Sequence, residues 1–152
     1  MLKISAIGKP AAQGEVMFVE NISHLSHLKT LAHKMVKEFK NPQLVLLQGA
    51  LGSGKSQTVR FMCEALGCSE VHSPAFTLIN TYEGGITHID LYRLNNPKDL
   101  ESTGFWDVFA HSHLVFIEWA DLLEESLPAW PTLFLNLEMS PAGQRFLKWK
   151  WS

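Results

Sequence analysis

Apolar and polar positions follow two different periods along this 152-residue chain. Leu44 to Gln48 and Leu114 to Glu118 begin as continuous apolar runs without alternation, the pattern of strands covered on both faces of a parallel sheet. Between Ser23 and Phe39 the residues Leu25, Leu28, Leu31, Ala32, Met35, Val36 and Phe39 recur at spacings of three and four. That spacing predicts a helix with Ser23 as its N-cap and Asn41-Pro42 as its stop. A second helix is expected from Lys55 to Leu66, closed by Gly67 in the C′ position. Glu15 to Glu20 reads as a short strand. Phe76 to Tyr82 and Ile86 to Asp90 are extended segments joined by Glu83-Gly84-Gly85, a hairpin signal. Pro97 suits the first position of a short helix reaching Thr103, and an irregular helical turn is expected near Trp106 to Ala110. Thr132 to Glu138 and Arg145 to Trp151, separated by Ser140-Pro141-Ala142-Gly143, predict a closing hairpin.

Together these elements predict an α/β fold with a mixed parallel and antiparallel sheet flanked by few helices. One domain over residues 1–152 is expected, with 1–14, which contain Gly8, Pro10 and Gly14, as a loosely ordered arm. With 46% hydrophobic residues the chain can bury one core, and at 18% it carries fewer charged residues than the roughly 25% typical of soluble domains. The net charge of -2 argues against direct nucleic-acid binding, which shows as a basic patch or stripe. Cys63 and Cys68 are too few and too close for a disulfide framework or a four-ligand zinc site, which points to a reducing compartment. No stretch approaches the ~18 apolar residues of a membrane span, so no membrane association and a cytoplasmic location are expected.

The candidate chemistry begins where the first buried run ends. Gly49-Ala50-Leu51-Gly52-Ser53-Gly54-Lys55-Ser56 fits the phosphate-binding pattern Gly-x-x-x-x-Gly-Lys-Ser/Thr, with an apolar strand before it and a helix after it. Gly49 and Gly54 permit backbone angles that turn successive N–H groups toward one point, and the first helical turn, including Gln57, adds free N–H groups and a positive dipole end. The expected phosphate contacts are therefore Gly49, Leu51, Gly52, Ser53, Gly54, Lys55, Ser56 and Gln57, with ATP as ligand. Lys55 would reach the β and γ phosphates and Ser56 would enter the shell of Mg²⁺. This makes the fold P-loop NTPase-like, in three layers. Two acids end strands beside the loop: Glu118 follows Leu114 to Ile117, and Asp90 follows Ile86 to Ile89. Asp90 is expected to help hold Mg²⁺ and Glu118 to position or deprotonate the attacking water, although the roles are interchangeable on sequence alone, and both acids are candidate metal contacts. Thr77, in Ser73-Pro74-Ala75-Phe76-Thr77, stands where a segment sensing the γ phosphate often lies. Alternation would put His88, Asp90 and Tyr92 on one strand face and Arg93 on the other. Trp119 is a candidate to stack on adenine.

Four segments in order, Gly49 to Ser56, Ser73 to Leu78, His88-Ile89-Asp90-Leu91-Tyr92-Arg93-Leu94, and Ile117-Glu118-Trp119, resemble the signatures of the bacterial TsaE (formerly YjeE) ATPase family. The resemblance extends from about Glu15 to the C-terminus. It implies a small P-loop fold, weak ATPase activity, and assembly with the TsaB and TsaD proteins in the synthesis of threonylcarbamoyladenosine at adenosine 37 of tRNA, with tRNA met only through that complex. By the same resemblance Lys55 and Ser56 are phosphate and metal contacts, Thr77 the switch residue, Asp90 and Glu118 the essential acids, and Trp119 a neighbour of the nucleotide. Three positions depart from the pattern: Ala50 where Asp is common, Ser56 for Thr, and Ala75 for Thr. Serine keeps the hydroxyl, while the two alanines withdraw polar groups from the site.

Other readings make different demands. A small P-loop kinase needs basic residues in a mobile lid, and between Ile86 and Glu125 only Arg93 and Lys98 are basic. A GTPase needs a guanine-reading motif, and Asn96-Pro97-Lys98-Asp99 has the wrong order. A module whose nucleotide state controls assembly, with incidental hydrolysis, overlaps with the family reading.

Overall fold

The apolar run after Pro42 becomes the central strand of the fold. A computed structural model describes residues 16–72, 77–123 and 127–152. The described strands are β1 (Phe18–Asn21), β2 (Gln43–Gly49), β3 (Ile79–Tyr82), β4 (Ile86–Asp90), β5 (Leu114–Glu118), β6 (Thr132–Met139) and β7 (Arg145–Trp151). The helices are α1 (Leu25–Val36), α2 (Lys55–Ala65) and the single turn α3 (Val108–His111), with 3-10 turns at Pro97–Thr103 and Ala120–Leu122.

All described strands join one mixed sheet in the order β1-β7-β6-β2-β5-β4-β3. Strands β6, β2, β5 and β4 are parallel to one another and form the middle. Antiparallel strands flank it, β3 on one side, β7 and then β1 on the other. Because a strand presents successive side chains to opposite faces, the run in β2 feeds two cores. Val45 and Leu47 face α1 and α2, where Leu28, Leu31, Met35, Val59 and Met62 close over them. Leu44 and Leu46 face the opposite layer, built from Leu100, Phe105 and Val108 rather than from a long helix. Each such fully buried apolar side chain contributes about 1.5 to 3 kcal/mol relative to exposure, so no polar residue can be tolerated midway along β2.

The second helix starts at Lys55 as expected and ends one residue earlier, with Leu66 as C-cap and Gly67 beyond it in the left-handed region. The first helix departs from expectation at its start. His24 occupies the N-cap position without a side-chain cap, and the Ser23 hydroxyl instead accepts the Arg145 N–H at 3.0 Å. A tertiary partner 122 residues away has taken the oxygen that would have capped the helix. Leu25, expected on the apolar face, is exposed, while Leu28, Leu31, Ala32 and Met35 are buried. The strand expected from Phe76 begins at Ile79; Phe76 and residues 73–75 lie outside the described residues, as does the arm at 1–14. The hairpin between β3 and β4 turns at Gly84 and Gly85, both with positive φ. Near Trp106 to Ala110 the helical turn is displaced to Val108–His111. Both cysteines are free; Cys63 is buried, and burial pushes its thiol up to about 12. No described helix is long and apolar enough to cross a membrane.

Candidate active site at the strand ends

The parallel strands β2, β4 and β5 all finish on the same side of the sheet, where α/β proteins commonly bind ligands. Gly49 ends β2, Asp90 ends β4 and Glu118 ends β5. The loop leaving β2 requires its two outer glycines. Gly49 has φ +150, and a Cβ there would lie 2.6 Å from both the Leu137 carbonyl oxygen and the Ser53 Oγ. Gly54 has φ +109 and is the N-cap of α2, a left-handed position that β-carbon-bearing residues enter only at a cost.

Lys55 is 4% exposed. Its Nζ donates to the carbonyl oxygens of Gly49 at 2.6 Å and Ala50 at 3.0 Å, and lies 4.1 Å from the Trp119 ring centroid. Burial lowers its ammonium from the usual lysine range, and the carboxylates of Glu118, Asp90 and Asp121 oppose that shift. Ser53 contributes a buried hydroxyl with no hydrogen-bond partner among the described residues.

Ser56, on the first turn of α2, donates its hydroxyl to Glu118 Oε1 at 2.7 Å. His88 Nε2 lies 2.7 Å from the same oxygen. Glu118 is 2% exposed and His88 1%. Asp90 stands in register with Glu118 across the β4–β5 pair. Burial raises the Asp90 carboxyl above the ordinary carboxylate value, helped by Glu118 and opposed by the Tyr92 N–H, His88 and Lys55. The Tyr92 amide donates to Asp90 Oδ1 at 3.0 Å.

A cavity of about 990 Å³ opens above these groups. It is lined by Leu51, Gly52, Ser53, Gly54, Lys55, Ser56, Gln57, Thr77, Asp90, Glu118 and Trp119, so the structure brings all of these candidate residues to one place. Gly49 lies outside the lining, behind the loop against Leu137. Thr77 reaches the rim, its hydroxyl donating to Asn80 Oδ1 at 2.7 Å. Arg93, expected on the opposite face from Asp90 and Tyr92, lines the same cavity. Strand β4 ends at Asp90, and the chain turns at Tyr92 and Arg93, so strand alternation no longer applies there.

Trp119 has φ 59, a left-handed angle that is strained for a non-glycine residue. The turn holds its ring against Tyr92, with centroids 5.0 Å apart. Two features escaped sequence reasoning. His88 had a visible signal, its i, i+2 relation to Asp90, but its partner Glu118 is set by strand register. The far wall of the cavity, formed by Ile22, Ser23, Leu25, Leu28 and Arg145, brings the start of α1 against Arg145, a meeting that no local pattern predicts. Among the described residues no three His, Cys, Asp or Glu side chains form a cation cluster.

The mixed sheet with its parallel middle, and the loop running from β2 into α2, define an α/β domain of P-loop-like architecture. The family model for Threonylcarbamoyl adenosine biosynthesis protein TsaE matches residues 22–146, and the chain belongs to the TsaE family. It is similar to the tRNA threonylcarbamoyladenosine biosynthesis protein TsaE of Rickettsia felis, 33% identical over 126 residues that cover 77% of this chain and 70% of that protein. The protein of the same name from Treponema pallidum is 34% identical over 105 residues, 67% of this chain and 77% of the relative. The crystal structure of YdiB from Bacillus subtilis shares the fold, with a TM-score of 0.68 and 23% identity over 92% of this chain and 88% of that one.

Proposed function

We propose that the protein binds ATP with Mg²⁺ in the cavity at the strand ends, hydrolyses it slowly alone, and supports tRNA threonylcarbamoyladenosine synthesis together with TsaB and TsaD. Membership of the TsaE family supports the pathway. The observation that carries the site is the 2.7 Å contact between the Ser56 hydroxyl and the Glu118 carboxylate, which joins the end of the phosphate-loop sequence to the acid closing a buried strand 62 residues away.

The residues present suit a magnesium-bound triphosphate. The Ser53 hydroxyl is a buried polar atom with no partner among the described residues, and a Cβ at Gly49 would collide with the loop and with Leu137. Magnesium is usually held by one or two carboxylates, substrate phosphates and waters rather than by an all-protein cage, which accords with Ser56, Asp90 and Glu118 as its protein contacts. Bound there, the ion would supply charge neutralisation on the phosphate oxygens. Lys55 offers a point charge to the same phosphates, and the start of α2 offers free N–H groups. Glu118, buried beside Ser56, would orient water against the terminal phosphate, and Asp90 would complete the acidic pair. Thr77 at the rim provides a hydroxyl for sensing that phosphate, and Trp119 an aromatic face beside Lys55 for the base or ribose.

Thermal-shift titration with ATP and GTP in the presence of Mg²⁺ tests the ligand: stabilisation by ATP well above that by GTP is expected, and equal or absent shifts would count against it. Coupled ATPase and multiple-turnover tRNA modification assays with and without TsaB and TsaD test the rest. A rise in both activities on mixing is expected; no rise in modification would remove the pathway role while leaving the nucleotide site standing.

A further inference from the structure

Both hydrogen bonds that the Glu118 side chain makes among the described residues fall on one carboxylate oxygen. Oε1 takes the Ser56 hydroxyl proton at 2.7 Å and faces His88 Nε2 at 2.7 Å. A carboxylate offers no proton, so the hydrogen between Glu118 and His88 belongs to Nε2. The other ring nitrogen, Nδ1, is buried with no hydrogen-bond partner among the described residues. The contact with Glu118 therefore runs from Nε2–H to Oε1.

His88 has little freedom to do anything else. It sits mid-strand in β4, paired with Asn80 of β3 on one side and Phe116 of β5 on the other. It is 1% exposed and does not line the cavity, whereas Glu118 does. The ring thus touches the cavity only through Glu118. Pinning Oε1 fixes the plane of the carboxylate and leaves Oε2, which accepts no hydrogen bond among the described residues, as the oxygen available to a group in the cavity. Ser56 gives a second donor to the same oxygen from the loop side, and its lone pairs stay available as the loop's candidate magnesium contact.

We propose that His88 is a positioning residue for the hydrolytic acid: its Nε2–H holds Oε1 of Glu118 so that Oε2 acts on water. The assignment of water activation to Glu118 rests on the function proposed above; the hydrogen bond itself does not.

Two measurements test it. In nucleotide-free protein with ¹⁵N-labelled histidine, the His88 resonances should show a protonated Nε2, and Glu118→Ala should move that signal. Finding Nε2 unprotonated, or no response to Glu118→Ala, would overturn the proposal. In ATPase assays with TsaB and TsaD, His88→Ala should lower kcat about tenfold or more while changing the ATP KM by no more than about threefold, since it misplaces a group used in the chemical step. His88→Gln, whose carboxamide can donate to the same oxygen, should recover a large part of that loss. His88→Ala within about twofold of wild type, or a His88→Gln protein that binds ADP normally yet recovers nothing, would overturn the proposal. If His88→Ala does not fold, the His88→Gln variant and the Nε2 resonance carry the test. A wild-type chain that hydrolyses no ATP with its partners would sink the proposed function instead, and the NMR result would still decide the hydrogen bond.

Discussion

Asp90 and Glu118 stand side by side, in register at the ends of parallel strands β4 and β5. The fold therefore gathers two partly or wholly buried carboxylates beside one buried ammonium, Lys55. Such an arrangement favours a cationic ligand and works against the chain that holds it, because each ionised acid loses water and faces a like charge.

Asp90→Asn should make the ligand-free protein more stable near neutrality. Burial raises the Asp90 carboxyl in the folded chain, with Glu118 adding to the rise and the Tyr92 N–H, His88 and Lys55 opposing it. A raised folded value means that the group's contribution to stability is fully present below the ordinary carboxylate pKa and is lost as pH rises through the folded one. Asparagine keeps the Oδ1 acceptor for the Tyr92 amide and cannot ionise. Denaturation at pH 7 should show the variant above wild type, and the gap should close below roughly pH 4; a variant less stable at pH 7 would contradict the assigned cause.

Lys55→Ala should weaken ATP binding by about 2 to 3 kcal/mol, the worth of charge-assisted hydrogen bonds to phosphate. In the wild-type chain a phosphate competes with the Gly49 and Ala50 carbonyls for the same ammonium. Calorimetric titration measures the difference, and an unchanged affinity would remove Lys55 from the site.

Gly49→Ala should cost about 1 to 3 kcal/mol of folding stability and reduce nucleotide affinity with it. The added methyl would meet the Leu137 carbonyl oxygen and the Ser53 Oγ, each at 2.6 Å. The serine side chain can swing aside, whereas the backbone carbonyl cannot, so the loop itself must shift. Urea denaturation and ATP titration of one sample test both effects.

Phe105→Ala should destabilise the fold by about 3 to 5 kcal/mol through loss of transfer energy and the cavity left behind. Phe105 is fully buried, with ring centroids 4.8 Å from Trp106 and 5.6 Å from Phe109. It anchors the sheet face that no long helix covers. A urea midpoint shifted by less than about 1 kcal/mol equivalent would mean that this face relaxes around the void.

Local pattern was most legible where burial or turn chemistry acts on neighbouring residues. The spans of β4, β5 and β7 were predicted to the residue, because an apolar run or a turn bounds each one. β2 extends by one residue at each end, from Leu44–Gln48 to Gln43–Gly49, and the phosphate-loop sequence lies between a strand and a helix as its pattern demands. The order of the strands was not legible, since pairing β2 with both β5 and β6 depends on long-range packing. Ser23 has a helix-capping side chain, yet it stands one residue before the N-cap His24 and its oxygen accepts from Arg145. Residues past Asp90 could not be assigned to a face by counting, because the count fails where the strand stops. His88 was visible as a neighbour of Asp90 and invisible as the partner of Glu118, which only sheet register supplies.

The far wall of the cavity has a consequence for when this protein can first hold a ligand. Ile22 and Arg145 share a backbone hydrogen bond of 2.8 Å, continuing the pairing of β1 with β7, and both residues border the cavity. A polypeptide emerging from the ribosome with its phosphate loop already made would still lack Arg145, and the pairing that seats Ile22 in that wall, until β7 had docked. Occupancy would thus reward only the finished sheet, and the stabilisation it brings would be felt in complete unfolding rather than in fraying of a single segment.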